Sequence, residues 1–238
     1  MYRYETHLHT YPVSQCAKVD SVKSLEIYKE MGYDGVFITN HFLDGNINFD
    51  VRGLPYEEQI EFYFSDYEKA KAAEKEAGVR VFCGIELTYK GTDFLVYGLD
   101  KEWFLAHPEI MEMKKSEELP FLMEAGALVI QAHPYREAGY IDHIRLFPRC
   151  VHGIEVLNAS QPDERNHMAE LYAEHYGLIR FAGSDNHAGA AKVVFAGMES
   201  DEPIENELDF IERVKAGKMR IFKITPEEKT QLLGGKIL

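Results

Sequence analysis

The chain has little cysteine, and what it has is poorly placed for crosslinking: Cys16, Cys83 and Cys150 are odd in number and form no Cys-x-x-Cys pair. That spacing supports neither a disulfide framework nor a structural zinc knuckle. Basic residues are also short, with 26 Lys and Arg against 40 Asp and Glu for a formal net charge of -14. Non-specific binders of nucleic-acid polymers or anionic membranes need a basic surface, so the balance argues against both as partners. No apolar run approaches membrane-spanning length, and the opening Met1-Tyr2-Arg3-Tyr4-Glu5 lacks the apolar core of a secretion signal. These absences predict a soluble protein of a reducing compartment, the cytoplasm. The phosphate-binding markers G-x-G-x-x-G and the P-loop are missing as well.

What is present is an even alternation of short apolar runs with amphipathic segments. Strands are predicted over residues 2–8, 35–39, 79–85, 92–99, 127–132, 151–157, 178–183 and 220–224. Helices are predicted over 21–31, 56–78, 116–125, 163–176 and 204–216, the first with Ser21 as cap and Gly32 as stop. Residues 43–55 read as a long loop, the kind that often lines a binding site. Lys90-Gly91 joins two strands by either a hairpin or an irregular crossover. Parallel β/α units follow from this rhythm, because parallel strands need crossover connections. No repeat, linker or charge block divides the chain, so one domain over 1–238 is expected. A TIM-like α/β barrel is the preferred closure and an open doubly wound sheet the fallback.

Several of these strands end in side chains that bind metals. His7-Leu8-His9 and Asp185-Asn186-His187 each follow an apolar run, and residues i and i+2 of a strand face the same side. Asn40-His41, Glu86 and His133-Pro134 stand just past other apolar runs. In α/β barrels, functional groups collect at the C-terminal ends of the strands. The set His7, His9, His41, Glu86, His133, Asp185 and His187 offers five imidazoles and two carboxylates, a mixed N/O donor set suited to Zn, Mn or Fe in a centre of two or three ions. A free carboxylate at Glu86, in an otherwise buried segment, would be costly without a cation. His107, His143, His152, His167 and His175 lack such a context and read as surface or internally satisfied residues. Cys16 reads as a buried structural thiol rather than a ligand.

Taken in order, Thr6-His7-Leu8-His9-Thr10, Ile38-Thr39-Asn40-His41, Gly84-Ile85-Glu86, Ala132-His133-Pro134 and Gly183-Ser184-Asp185-Asn186-His187 resemble the successive motifs of the polymerase and histidinol phosphatase (PHP) family of metal-dependent phosphoesterases. The resemblance spans nearly the whole chain and implies a distorted (β/α)7 barrel. It further implies one metal on His7, His9, Glu86 and Asp185, a second bridged by Glu86 to His133, and a third served by His41 and His187. Where the family has a further ligand His after the first pair, Gln15 is expected to stand. Asn40 replaces an Asp, a possible outer partner for an imidazole, and the strand from Asp93 to Gly98 offers no His. Gln131, two before His133, is expected as a polar substitute near the metals, and Glu155 and Asn158 as outer or substrate-facing groups. Arg136, and after it Arg145, are candidates for binding a phosphate, since guanidinium matches its geometry; the alternative is a surface ion pair with Glu137 or Asp142. The expected activity is hydrolysis of a small phosphomonoester, with His187 or His41 assisting proton transfer. Hydrolysis of a C–N or C–O bond in a similar barrel is the second reading, and a metal-binding domain without catalysis the third.

Overall fold

A computed structural model of the chain describes residues 1–234, so the last four residues of the expected 1–238 domain lie outside the described residues. In chain order the main elements are β1 (Tyr2–Leu8), α1 (Ser21–Glu30), β2 (Gly35–Ile38), α2 (Tyr56–Ala77), β3 (Arg80–Tyr89), β4 (Thr92–Tyr97), α3 (Lys101–Ala106) and α4 (Lys115–Glu124). They continue with β5 (Leu128–Ala132), β6 (Gly153–Asn158), α5 (Asp163–Tyr176), β7 (Ile179–Gly183), β8 (Phe195–Ser200), α6 (Glu207–Lys215), β9 (Arg220–Ile224) and α7 (Pro226–Leu233).

Among the described residues the nine strands share one sheet in the order β7-β6-β5-β4-β3-β2-β1-β8-β9. Its first seven members curl until β7 returns to β1. A parallel bridge joins Leu8 to Asn186, His9 N donates to Asn186 O at 3.2 Å, and the Thr6 hydroxyl donates to Ala182 O. Gly183 permits this approach, since a Cβ there would lie 2.4 Å from His7 Cβ. The result is a nearly closed α/β barrel of seven strands. Strands β8 and β9 extend it as an antiparallel flap from the first half of β1.

Aromatic packing fills the barrel away from its metal-ligand end. Phe210 of α6 lies 4.3 Å from Phe37 of β2 and 5.5 Å from Tyr97 of β4, ring centre to ring centre, and also contacts Phe181 of β7. A fully buried Phe contributes about 1.5–3 kcal/mol relative to an exposed one, so α6 acts as a plug. The helix has the composition for it, with Phe210, Ile211 and Val214 on one buried face.

Of the two connections open at Lys90-Gly91, the structure has the hairpin: with φ of 52° and 81° these residues make a tight β3–β4 turn, and β4 is antiparallel to both neighbours. The expected elements differ from the structure in three ways. Strand β3 runs on through Glu86 to Tyr89, as it exchanges pairing with β2 for pairing with β4 after Cys83. Strand β8 was not anticipated, nor were α3 and α7. Helix α1 is capped by Asp20, whose side chain accepts from Lys23 N, while the Ser21 hydroxyl bonds the Asp66 carboxylate. Among the described residues no helix is long and apolar enough to cross a membrane.

Candidate metal centre

The parallel strands deliver their terminal side chains to one end of the barrel. His7 and His9 come from the end of β1, His41 from just past β2, Glu86 from within β3, His133 from just past β5, and Asp185 and His187 from just past β7. His133 and Asp185 sit at positive φ, 26° and 52°. A non-glycine residue held there costs on the order of 1–3 kcal/mol and persists where surrounding contacts over-determine it.

Glu86 is the hub. One carboxylate oxygen lies 3.0 Å from His7 Nε2 and 3.4 Å from His133 Nε2; the other lies 2.6 Å from His41 Nδ1 and 3.5 Å from His9 Nε2. Asp185 Oδ1 is 3.5 Å from His9 Nε2 and 3.7 Å from His7 Nε2. Three overlapping groups have donors close enough to share an ion: His7, His9 and Asp185; His7, Glu86 and His133; and His9, His41 and His187.

Whether these donors fit a cation follows from where their protons go. His7 Nδ1 donates to Glu155 Oε1 at 2.9 Å, which leaves a lone pair on Nε2. Ser14 Oγ donates its only proton to Asn40 Oδ1 at 2.7 Å, so His9 Nδ1 at 3.1 Å must donate to Ser14. His9 Nε2 therefore also presents a lone pair, 3.1 Å from that of His7. Both Glu86 oxygens and His41 Nδ1 are buried with no hydrogen bond of adequate geometry. Two lone pairs and two carboxylates facing one another need positive charge between them. The titration pattern agrees. Burial opposes a proton on His7, yet the Glu155, Asp185 and Glu86 carboxylates raise its pKa well above the ordinary value. Burial raises the Glu86 pKa, but His41, His9 and His7 outweigh it and hold Glu86 well below the usual carboxylate range. The residues fit a divalent metal ion, which His7, His9, Glu86, His133 and Asp185 would hold.

The supporting residues fall into two sets. Glu155 accepts from His7 through one oxygen, and from His133 N and Asn158 Nδ2 through the other, at 2.9 and 2.8 Å. Asn158 also reaches Asp185 Oδ2 at 3.3 Å. Asn40 supports His9 through Ser14 rather than touching an imidazole, so Ser14 supplies the acceptor that an Asp at position 40 would have offered. The remaining expectations place differently. Gln15 is exposed, its amide accepting from Phe49 N, and Cys16 is the residue of that loop beside the cluster. Partial burial pushes the Cys16 thiol up, but the neighbouring His187 and His41 outweigh it and bring it down to about 6. Gln131 spends its amide on Arg145 O and Phe147 N, anchoring the loop after β5. Arg145 pairs with Asp142 at 2.7 Å and with Lys90 O, as in the surface-ion-pair alternative. Arg136 lines a cavity of about 750 Å³ over the cluster and bonds Asp93 at 3.3 Å and Tyr140 OH at 2.5 Å.

Asp93 was missed. It is 2 % exposed, 3.8 Å from His133 Nε2, and stands at the beginning of β4. Because β4 is antiparallel, its first residues lie where the parallel strands end, paired with Ala132. A search of that strand for a His alone passes over its carboxylate. Ser14 gave no signal beyond its place in a polar loop.

The C-terminal part of the chain, residues 163–219, matches the family model described as PHP-associated (PHP_C), a segment that includes Asp185 and His187. No curated protein matches the chain. Among solved structures it is similar to a two-domain protein from Bacteroides vulgatus containing a predicted PHP-like metal-dependent phosphoesterase, at TM-score 0.67 and 13% identity, covering 93% of this chain and 64% of that one. It thus spans under two thirds of that protein. A structure named for a metal-dependent phosphoesterase from Bifidobacterium adolescentis aligns at TM-score 0.53 and 13% identity, over 79% of this chain and 88% of that chain. An amidohydrolase from Chromobacterium violaceum, with bound sulfate and no metal, aligns at TM-score 0.57 and 15% identity, over 92% of this chain and 97% of that chain. At these identities the neighbours show the fold alone, and the match to the PHP-associated family model is confined to residues 163–219.

Proposed function

We propose that the protein hydrolyses a small phosphomonoester with the help of two or three divalent metal ions, Zn, Mn or Fe. The observation that carries the reading is the pair of converging lone pairs on His7 and His9 beside the Glu86 carboxylate, whose oxygens lack a hydrogen bond of adequate geometry and which lines a cavity that also presents the Arg136 guanidinium. Bound there, such ions would neutralise phosphoryl oxygens and bring the pKa of a water toward neutrality.

The chain's own contribution is to hold charge in fixed positions. Glu155 and Ser14 keep the imidazoles of His7 and His9 in the one tautomer that turns Nε2 inward. Arg136, steadied by Asp93 and Tyr140, meets a phosphoryl oxygen on the cavity side. His41 and His187 stand on the cavity wall, where either would assist proton transfer to the leaving oxygen; burial opposes a proton on His41, but Glu86 raises its pKa to about 10.

Hydrolysis of a C–N or C–O bond is the second reading, favoured by the amidohydrolase among proteins of this fold. Metal-loaded protein assayed against phosphomonoesters, phosphodiesters and a set of amides and esters separates the two. Phosphate release from monoesters, abolished by a chelator and by Asp185→Ala, is the expected result. Turnover of amides alone would replace the proposal with the second reading, and metal-loaded protein inert on every substrate would leave a binding domain.

A further inference from the structure

The 750 Å³ cavity over the cluster has a neighbour. Ser160, Asp185 and His187 line it and also line a second hollow of about 410 Å³, whose remaining lining is aliphatic except for Lys192: Ala159, Ala188, Ala191, Val193 and Val194. The two hollows share a wall at the metal ligands. A molecule held there by one end has an apolar recess beside it and a cation within that recess.

Lys192 is half-buried. Its ammonium donates to Ser160 Oγ, which accepts because it gives its own proton to Asp185 O at 2.8 Å. Burial lowers the Lys192 pKa, and the Asp185, Glu5 and Glu155 carboxylates oppose this from a distance without an ion pair. Other cations of this end of the barrel are matched: Arg136 with Asp93, Arg145 with Asp142, Arg165 with Glu137 and Lys115 with Asp44. An ammonium drawn partly out of water against one neutral hydroxyl is costly until an anion meets it. Its position is fixed on both sides of the recess. Lys192 N donates to Gly189 O at 3.1 Å, the Lys229 ammonium bonds Ala190 O and Lys192 O, and Ser160 N donates to Asn158 Oδ1 at 2.8 Å.

We propose that Lys192 is a specificity-determining residue that binds a carboxylate on the leaving group, so that the substrate is a phosphomonoester of a hydroxy acid with an apolar spacer. The inference rests on the phosphomonoesterase reading given above. The phosphoryl group lies toward Arg136, the spacer crosses the aliphatic recess, and the carboxylate accepts from the ammonium protons that Lys192 does not spend on Ser160. A lone ammonium matches the single charge of a carboxylate. A second phosphate would carry more charge and draw more donors than this recess presents.

Three aryl phosphates test the assignment: phenyl phosphate, 4-carboxyphenyl phosphate, and 4-carbamoylphenyl phosphate, whose amide has the shape of the carboxylate without its charge. Metal-loaded full-length protein is assayed for phosphate release from each. The wild type should favour the acid over the amide by about tenfold in kcat/KM, the difference lying in KM, as for one charged hydrogen bond made in the ground and transition states alike. Lys192→Met keeps the aliphatic stem and removes the charge; it should abolish the preference by raising KM for the acid, with metal content unchanged. Lys192→Arg should restore a preference for the acid, and circular dichroism checks that both variants fold. A wild type that treats acid and amide alike, or a preference that survives in Lys192→Met, overturns the inference, while phosphate release from phenyl phosphate keeps the phosphomonoesterase reading in place. Metal lost from Lys192→Met would make Lys192 a support of the metal centre and overturn the inference as well. No phosphate released from any of the three overturns both.

Discussion

His7 and His41 both lie against Glu86, at 3.0 and 2.6 Å, but they are held by different means. His7 is fully buried, and its far nitrogen is locked by Glu155, which is itself locked by His133 N and Asn158. His41 borders the cavity; its backbone N–H reaches Ser14 Oγ, but its Nδ1 has no hydrogen bond of adequate geometry. The inner wall is thus determined before any ligand arrives, and the outer wall is left for a ligand to complete. Buried outer-shell partners should therefore govern metal affinity, and cavity-side residues should govern what is bound and turned over.

The largest effect expected from breaking this contrast is on the inner wall. Glu155→Gln keeps the volume but replaces one acceptor oxygen with an NH2 group, so either His7 or the His133 N–H loses its partner. If His7 turns to the other tautomer, its Nε2–H points at Glu86 and no lone pair remains for a metal. Metal affinity should fall by about 10- to 100-fold, the usual cost of losing an outer-shell partner, in a chelator competition titration. Unchanged affinity would mean that Glu155 does not set the His7 tautomer.

The inner wall is also the part most legible in the sequence. His7, His9, Glu86, His133 and Asp185 are chemically conspicuous residues at or near strand ends, and strand periodicity places each pair on one face. Glu155 and Asn158 follow from the same logic in β6. The outer wall was less legible because it is assembled from loops and from a reversed strand. Asp93 reaches the site only because β4 runs antiparallel, and Cys16 rather than Gln15 faces the histidines because of local turns after β1 that no periodicity reports. Arg136 stands ahead of Arg145 as an anion binder in the sequence because it follows His133 by three residues; loop geometry separates the two further, with Gln131 and Lys90 holding the Arg145 end away from the cavity. Strand β8 was overlooked because its alternation is interrupted by Gly197, where a Cβ would meet Tyr4 O at 2.1 Å.

A smaller effect is expected from the cavity side. Arg136→Ala removes a guanidinium that no metal ligand depends on. It should lower kcat/KM for a phosphomonoester by about tenfold, in line with loss of one charged hydrogen bond, and leave metal content unchanged. Loss of metal from this variant would place Arg136 with the inner wall and blur the contrast.

The smallest effect concerns the support beneath that side. Lys115 bonds Asp44, which lines the cavity, and Glu118, each at 2.7 Å. Burial pushes the Glu118 carboxyl from 4.5 up to about 7, with Lys115 opposing the rise and Asp44 adding to it. The folded state thus holds this proton more tightly than the unfolded chain. The stabilisation is fully present below about 4.5 and declines as pH rises through about 7. Glu118→Gln should flatten this part of the stability curve by roughly 1–3 kcal/mol, as read from denaturant melts across that range. A variant curve parallel to the wild type would remove Glu118 from the account.

The central claim, that buried imidazole lone pairs and the Glu86 carboxylate form a metal centre, is tested most directly by counting metal. Elemental analysis of the full-length chain, loaded with zinc, manganese or iron and then desalted, should find about two or more equivalents per chain, and His7→Ala should lose at least one of them. A wild-type chain that retains less than one equivalent, or a His7→Ala chain that retains as much as the wild type, would contradict it.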